Sequence, residues 1–503
     1  MSSSKKIFSG IIWTSLGNLI NACYSFFSVP LLLVHFGKNE YGLIGLAISV
    51  NVYLKLMDMG FASGNVKFFS MWLAKNDMDS VRKLFQSSIV FYGIIGLVNA
   101  FILYILSIYS QQIFSLNSVQ ASLLKNMLYI LMISAFFGWL SSLLDQFLRA
   151  NEVIGWEQRL MIFVRLLQVG ILLATIHFNY GIGLFFSLTT LSSLLIIPFI
   201  VWKIRKLRLE ISFTPKYHHA VFRQVLPYCL SIFSFGIFQF SAIYLRPIIL
   251  SVQANISTVA DYRIIEGFAN LVLLIGASFT AVILPAASKA ITLGDSKKIE
   301  KIAYDATKYI TIFVSFVVFG FIIVSNLLID LYVGNRYSYL TIWLNIWIFT
   351  LLGTHTAALA SLVLSENNLR PIVIMSAIST IISLLLGWYL TPIFQVGGVV
   401  IGYFVYIVFQ ISFYYFYYYP KVMKLDSRKI FIKSFFIPSL LLGIVALVSN
   451  FLSSLVIINS PYLRLFAVGG IYSFLSLLVI VFIALNFEDK KFIIGIIRLK
   501  KQK

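Results

Sequence analysis

The sequence predicts an all-α integral membrane protein of about fourteen transmembrane helices, arranged as two pseudo-symmetric six-helix lobes followed by a C-terminal hairpin. Three observations carry that prediction. The 503-residue chain is 60% apolar and only 11% charged, less than half the charge of an ordinary soluble protein. Its apolar residues fall in runs long enough to cross a bilayer, which takes roughly 20 residues each. Its 39 Lys and Arg, against 18 Asp and Glu, gather in alternate gaps between those runs.

Span 1, near 9–34, follows Lys5 and Lys6 and lacks a small-residue cleavage site before Pro30, so it is expected to be a retained helix rather than a signal peptide. Span 2, near 42–66, opens after Tyr41 and closes at Lys67. Spans 3 and 4, near 86–109 and 122–147, lead to Arg149. Spans 5 and 6, near 160–178 and 181–202, end at Lys203. Spans 7 and 8, near 225–250 and 262–288, end at Lys289. Spans 9 and 10, near 309–331 and 340–364, lead to Arg370, and spans 11 and 12, near 371–390 and 396–419, to Lys421. Spans 13 and 14, near 433–456 and 463–486, complete the set.

The gaps after odd spans are short and nearly uncharged. Of the 39 cations, 31 fall on the side of the other gaps and the termini, 5 on the opposite side, and Lys55, Arg165 and Arg246 within spans. The positive-inside rule makes the first side cytoplasmic and puts both termini there. The predicted organisation is an N-lobe at 1–202, a cytoplasmic linker at 203–224, a C-lobe at 225–419, and spans 13–14 with a basic tail at 420–503. The amphipathic stretches near 67–85, 203–224, 289–308 and 487–503 are expected to form helices lying on the inner leaflet.

The same accounting narrows function. The basic excess is explained by topology, so nucleic acid is not an expected partner and membrane lipids are. Cys23 and Cys229 both lie in apolar runs and build no disulfide framework. His218 and His219 are adjacent and share no helix face, so no metal is expected. No Walker A, GxSxG or HExxH pattern occurs, so no catalytic residue and no cofactor is expected. Without a nucleotide-binding domain, transport would draw on an ion gradient, the membrane potential or a substrate gradient.

An internal repeat organises the spans. Pro30-Leu-Leu-Leu matches Pro247-Ile-Ile-Leu at an offset of 217, Tyr41 matches Tyr262 at 221, and Lys67 matches Lys289 at 222. Asn151 matches Asn367, and Tyr-Gly-Ile at 180–182 faces Val-Gly-Gly at 396–398, both at 216. Spans 1–6 and 7–12 therefore read as parallel repeats about an axis along the membrane normal. That is the plan of an alternating-access carrier with its site between the halves.

Charges inside spans are costly and mark candidate sites. Lys55 and Asp58 stand at i,i+3 in span 2, either as a structural ion pair or as a cavity cation with a titrating partner. Gly60 and Gly64 follow at a spacing that permits close helix approach. Arg246 precedes Pro247 in span 7, and Arg263 and Glu266 open span 8, again at i,i+3. Lys55, Arg246 and Arg263 together would line a cationic cavity suited to a phosphate-bearing ligand. Asp58 and Glu266 are the candidates for ion coupling. Asp145 is expected to pair with Arg149, and Arg165 to reach the inner headgroups. Glu40, Asp261 and Asp330 are expected to be solvated, and the Tyr414–Tyr419 run to anchor an interface.

The stretch Pro30–Lys67 resembles the span 1–2 region of O-antigen flippases. These are Wzx-type polysaccharide transporters of the multidrug/oligosaccharidyl-lipid/polysaccharide (MOP) exporter superfamily. Phe36-Gly37, Tyr41-Gly42-Leu43 and Met57-Asp58-Met59-Gly60 fit the family pattern. Arg246–Leu250 and Ala260–Gly267 resemble it in the second half, although Leu245-Arg246 stands where the family often has Asp-Arg. The resemblance implies a V-shaped, MATE-like pair of lobes in a bacterial inner membrane. It implies a flippase for a polyprenyl-pyrophosphate-linked oligosaccharide, an O-antigen or capsule repeat unit, moved to the periplasmic face with proton or sodium coupling. A polysaccharide polymerase and a chain-length regulator are the implied protein partners. Fourteen spans also resemble the lipid-linked peptidoglycan-precursor flippases. A multidrug extrusion pump is disfavoured by the absence of any acid in Ser9–Val34, and a membrane polymerase or ligase by the shortness of every outer loop.

Overall fold

The computed structural model describes residues 3–207, 211–273, 293, 295–356, 370–455, 458 and 460–484, and among them there is no β-strand. Ten described helices are long and apolar enough to cross a membrane: Ile12–Phe36, Met78–Ile113, Ser118–Ala150, Ile154–Phe178, Ile182–Lys206, Ser296–Val333, Arg370–Phe394, Val396–Val422, Ser427–Ser454 and Pro461–Ala484. Two more spans are bent pairs, Lys38–Asp58 with Phe61–Ala74 at 45° and His219–Ser234 with Gly236–Tyr244 at 47°. These twelve correspond to predicted spans 1–7, 9 and 11–14. Spans 8 and 10 run into 274–292 and 357–369, which lie outside the described residues. The protein is a multi-pass helical membrane protein.

The chain divides into two compact units, Met1–Gly267 with Leu384–Val399, and Phe268–Ser383 with Val400–Lys503. In the first, α1 (Ser3–Phe36), α2 (Lys38–Leu54) and α3 (Phe61–Ala74) are followed by α4 (Met78–Ile113) and α5 (Ser118–Ala150). Next come α6 (Ile154–Phe178), α7 (Ile182–Lys206) and α8 (His219–Tyr244). The helices start where capping chemistry directs. Asp77 accepts from the Ser80 amide at 3.1 Å to open α4, and Asn117 with Gln120 forms a capping box for α5.

Lipid gives helices no hydrophobic reason to associate, so small residues and interlocking side chains do that work. Gly60 and Gly64 lie against Cys229 of α8, Gly60 on its carbonyl and Gly64 on its Sγ, where a Cβ would collide. The close approach expected from their spacing is realised here. Gly155 of α6 meets Ser9 and Gly10 of α1 in the same manner. The core around α3, α4 and α5 is aromatic: Phe69 and Phe85 both set their edges against Phe147, with centroids 5.3 Å and 5.2 Å away.

In the second unit, α9 (Ser296–Val333) is the helix on which the C-terminal hairpin docks. That hairpin comprises α10 (Ser427–Ser454) and α11 (Pro461–Ala484). Tyr472 stacks on Phe316 at 5.6 Å and donates to its carbonyl at 3.0 Å, lying over Gly320. Ser315 and Ser439 bond at 3.0 Å across the same contact.

Several local expectations are corrected. Residues 67–85 make no separate surface helix, because α3 runs on to Ala74 and α4 starts at Met78. The described part of 289–308 is mostly the start of α9, and 211–218 is non-helical. The tail at 487–503 lies outside the described residues. Tyr415, Tyr418 and Tyr419 are buried rather than interfacial: Tyr415 donates to or accepts from His355 at 2.9 Å and packs on Phe431. Only Phe416 and Tyr417 of that run are exposed.

Candidate functional site

Span 2 does not continue as a helix through its charged residues. A tight turn, Lys55–Asp58, interrupts it, and the left-handed Met59 (φ 50°) and Gly60 (φ 78°) redirect the chain into α3. Gly60 supplies the backbone freedom that such a turn requires. Broken backbone at membrane depth is tolerated where it lines a cavity or is buried in protein, and a cavity is present. Its volume is about 510 Å³, and Asn51, Lys55 and Asp58 line it from span 2, Asn99 from α4, and Ser134, Trp139, Ser142 and Asp145 from α5.

Asp58 is held at both oxygens. The Ala62 amide donates to Oδ2 at 2.9 Å, capping α3, and Tyr92 Oη donates to Oδ1 at 2.6 Å. Tyr92 in turn accepts from Gln146 Nε2 at 2.9 Å, and Gln146 Oε1 accepts from Asn65 Nδ2 at 2.8 Å. Ser88 completes the set by donating to Asn65 at 3.2 Å. This buried network ties α3, α4 and α5 together behind the cavity. Lys55 makes no hydrogen bond or ion pair among the described residues, so of the two alternatives the structural ion pair with Asp58 is not formed. The cavity lining therefore presents one cation and two carboxylates.

The other expected site residues lie elsewhere in the same unit. Arg246 is buried at the head of the helix Arg246–Gln253 and donates from Nε to the Ala242 carbonyl at 2.7 Å. Arg263 and Glu266 bond to each other at 2.5 Å. Arg263 also donates to the Gly45 carbonyl at 2.8 Å and to Ser49 at 2.6 Å, which clasps residues 256–267 to α2. Beside that clasp, Lys38 meets Asp261 at 2.8 Å, and Gly42 lies on the Ile256 carbonyl. Asp261 is thus buried and paired, not solvated, because α2 brings Lys38 across to it. Arg246, Arg263 and Glu266 do not line the cavity that Lys55 and Asp58 share.

Two further pairings differ from expectation. Arg149 turns to Glu157 of α6 at 2.7 Å, leaving Asp145 to the cavity. Arg165 donates to Asn21 at 2.6 Å and to Gln168 at 2.7 Å, so it is engaged within the protein instead of reaching headgroups. Asn51, Asn99 and Trp139 were not anticipated as lining. For Asn51 a signal was present as helical spacing, since it stands one turn before Lys55, and Ser134, Gly138, Ser142 and Asp145 share one face of α5; Asn99 and Trp139 carried no such signal. Among the described residues there is no cluster of three or more His, Cys, Asp or Glu able to hold a metal ion.

A multi-pass helical fold with a polar cavity walled by its own helices is the class that these observations define. Among solved structures, the fold is similar to that of lipid II flippase MurJ in an inward closed conformation. The TM-score is 0.71 at 15% identity, covering 93% of this chain and 99% of that one. It is also similar to an inward-facing multidrug resistance MATE family transporter of the MOP superfamily, with TM-score 0.63 and 14% identity over 80% of this chain and 96% of that one. The MATE multidrug transporter DinF-BH gives TM-score 0.60 and 16% identity over 82% of this chain and 96% of that one. At such identities the likeness is one of fold, and the all-α, MATE-like fold expected from the sequence is the fold found. No protein-family model and no curated protein sequence matches the chain.

Proposed function

We propose that this protein is a transporter, not an enzyme, and that it flips a polyprenyl-pyrophosphate-linked oligosaccharide from the cytoplasmic to the periplasmic face of a bacterial inner membrane by alternating access. The observation that carries the proposal is Lys55, a cation without a partner among the described residues, facing a polar cavity in a multi-pass membrane protein. A lysine is a point charge suited to phosphate, and the amides, hydroxyls and indole around it suit a polar headgroup such as a saccharide. The motif resemblance at Pro30–Lys67 and the fold shared with MurJ support the same reading. Lys55 is assigned to the pyrophosphate. Arg246 remains a second proposed contact, reached when the carrier changes state. Arg263 and Glu266, which satisfy each other, are assigned to holding α2 against residues 256–267, and Asp58 to coupling. The distribution of basic residues supports assigning both termini to the cytoplasm.

A second reading is favoured by a specific observation. The MurJ likeness covers 93% of the chain and the MATE likenesses 80–82%, so a peptidoglycan-precursor flippase is the main rival. The deciding experiment is deletion of the gene with complementation by wild type or Lys55→Gln. Loss of surface polysaccharide with accumulation of lipid-linked intermediate, restored by wild type but not by Lys55→Gln at equal protein level, is expected. Lysis on deletion would favour the rival, drug sensitivity with intact glycan an extrusion pump, and normal polysaccharide in the variant would remove Lys55 from the site.

A further inference from the structure

Arg165 stands near the middle of a membrane-spanning helix without a counter-charge. It is the twelfth of the 25 residues of α6, about 16 Å of helix rise from Ile154. Its partners are neutral. Nε donates to Asn21 Oδ1 of α1 at 2.6 Å, Nη1 donates to Gln168 Oε1 at 2.7 Å, and the Tyr24 ring lies 4.7 Å from the guanidinium carbon. Gln168 is itself fixed by donating to the Thr189 carbonyl at 3.0 Å and to Ser192 at 3.3 Å. No acid among the described residues pairs with Arg165, and its Nη2 makes no hydrogen bond among them. A charge at this depth is costly and marks a substrate path more often than a structural one.

The neighbouring helix α1 has two exposed faces. Ile12, Leu16, Leu19, Phe27 and Val34 form the apolar one, which stays open along the helix, with Phe27 63% and Val34 82% exposed. That is the face lipid wets. Asn18, Asn21 and Ser25 form the other, about half a turn away. The same row continues as Val29 and Leu32, each 5% exposed, so protein closes it at that end and lipid does not run along it. On α6, Arg165 lies opposite the exposed Phe163 and Leu167 and is likewise turned from lipid. Asn18, Ser25 and the amide nitrogen of Asn21 make no hydrogen bond among the described residues.

An arginine with a free edge matches a planar oxyanion through two parallel bonds. Uncharged amides and a hydroxyl beside a tyrosine suit a sugar better than a bare phosphate. We propose that the groove between α1 and α6 binds an acidic sugar, its carboxylate on Nη1 and Nη2 of Arg165 and its hydroxyls on Asn18, Asn21 and Ser25. None of these residues lines the cavity of Lys55 and Asp58, so this is a second site. Assigning the sugar to the transported oligosaccharide rests on the function proposed above, whereas the oxyanion site does not.

The test uses the full chain in lipid nanodiscs. The probes are a glucuronate-containing tetrasaccharide and its carboxyl-reduced counterpart, with affinities read by saturation-transfer NMR. Wild type should bind the acidic probe at least about tenfold more tightly than the reduced one, the effect of one charge-assisted contact. Arg165→Gln should lose that preference, Asn18→Ala should weaken both probes alike, and Lys125→Gln, an exposed control, should keep the preference. Retention of the wild-type melting profile identifies folded protein. If Arg165→Gln does not fold, Asn21→Asp serves in its place: it gives Arg165 an internal carboxylate and should remove the preference while keeping the α1–α6 contact. Equal affinity for the two probes in wild type, no binding of either, or a preference that survives in Arg165→Gln or Asn21→Asp overturns the site. Displacement of the acidic probe by inorganic pyrophosphate that persists in Lys55→Gln would make the groove a phosphate site and overturn the sugar carboxylate. Normal surface polysaccharide after gene deletion, with the preference intact, would refute the transport function proposed above and leave the binding site standing.

Discussion

Replacing Lys38 by Met removes the cation that both oxygens of Asp261 meet, at 2.8 Å and 2.9 Å, where α2 crosses residues 256–267. Removing one partner of a fully buried pair costs about 3–5 kcal/mol, because the other charge is left unpaired. An exposed pair contributes about 0–1 kcal/mol. Here the Asp261 side chain is 2% exposed and that of Lys38 30%. The pair lies nearer the buried limit, but water reaches the lysine, so we expect a loss of about 2 kcal/mol, or roughly 30-fold in the folding equilibrium. The double variant Lys38→Met with Asp261→Asn removes the buried carboxylate's charge as well and should recover more than half of that loss. Reversible unfolding in mixed micelles, followed by tryptophan fluorescence, measures both, with Arg464→Gln as an exposed control. A Lys38→Met protein no less stable than the control, or a double variant no better than the single one, would refute the argument that burial of Asp261 makes this pair matter.

Three other outcomes are expected. Tyr92→Phe takes away the 2.6 Å donor to Asp58 and the acceptor of Gln146, and should cost about 1–3 kcal/mol by the same unfolding assay; an unchanged midpoint would show that the network does not hold α3, α4 and α5 together. Gly64→Ala drives a Cβ into Cys229 Sγ and should destabilise by about 1–3 kcal/mol, with Cys229→Ala in the same chain relieving it; an additive double variant would mean the two helices do not meet there. Arg149→Met strands the buried Glu157 and should be more destabilising than Asp145→Asn, an order that reverses if Asp145 is the true partner of Arg149.

The span pattern and the close approach at Gly60 and Gly64 were legible because each depends on local spacing. A run of apolar residues long enough to cross lipid has few alternatives to a helix. Met57-Asp58-Met59-Gly60 carries both the charge and the glycine that a turn inside a span requires. Gly60 and Gly64, four residues apart, imply a close neighbour, and Cys229 is that neighbour.

Partners across helices were a different matter. Arg149 could reach Asp145 four residues back or Glu157 eight residues on, and spacing favours the former; the turn between α5 and α6 brings Glu157 to it instead. Lys38 and Asp261 stand 223 residues apart, Asp58 and Tyr92 34 apart, and His355 and Tyr415 60 apart. No periodicity within a helix specifies such contacts. The sequence by itself determined that this chain enters a membrane many times, where the twelve described spans fall, and that Lys55 and Asp58 are unusual, because lipid penalises polar groups one segment at a time. Only the tertiary structure decided which charges are spent on holding helices together, as Arg263, Glu266, Lys38 and Asp261 are, and which are left facing a cavity, as Lys55 and Asp145 are. That choice depends on which side chains the packing of separate helices brings within bonding distance.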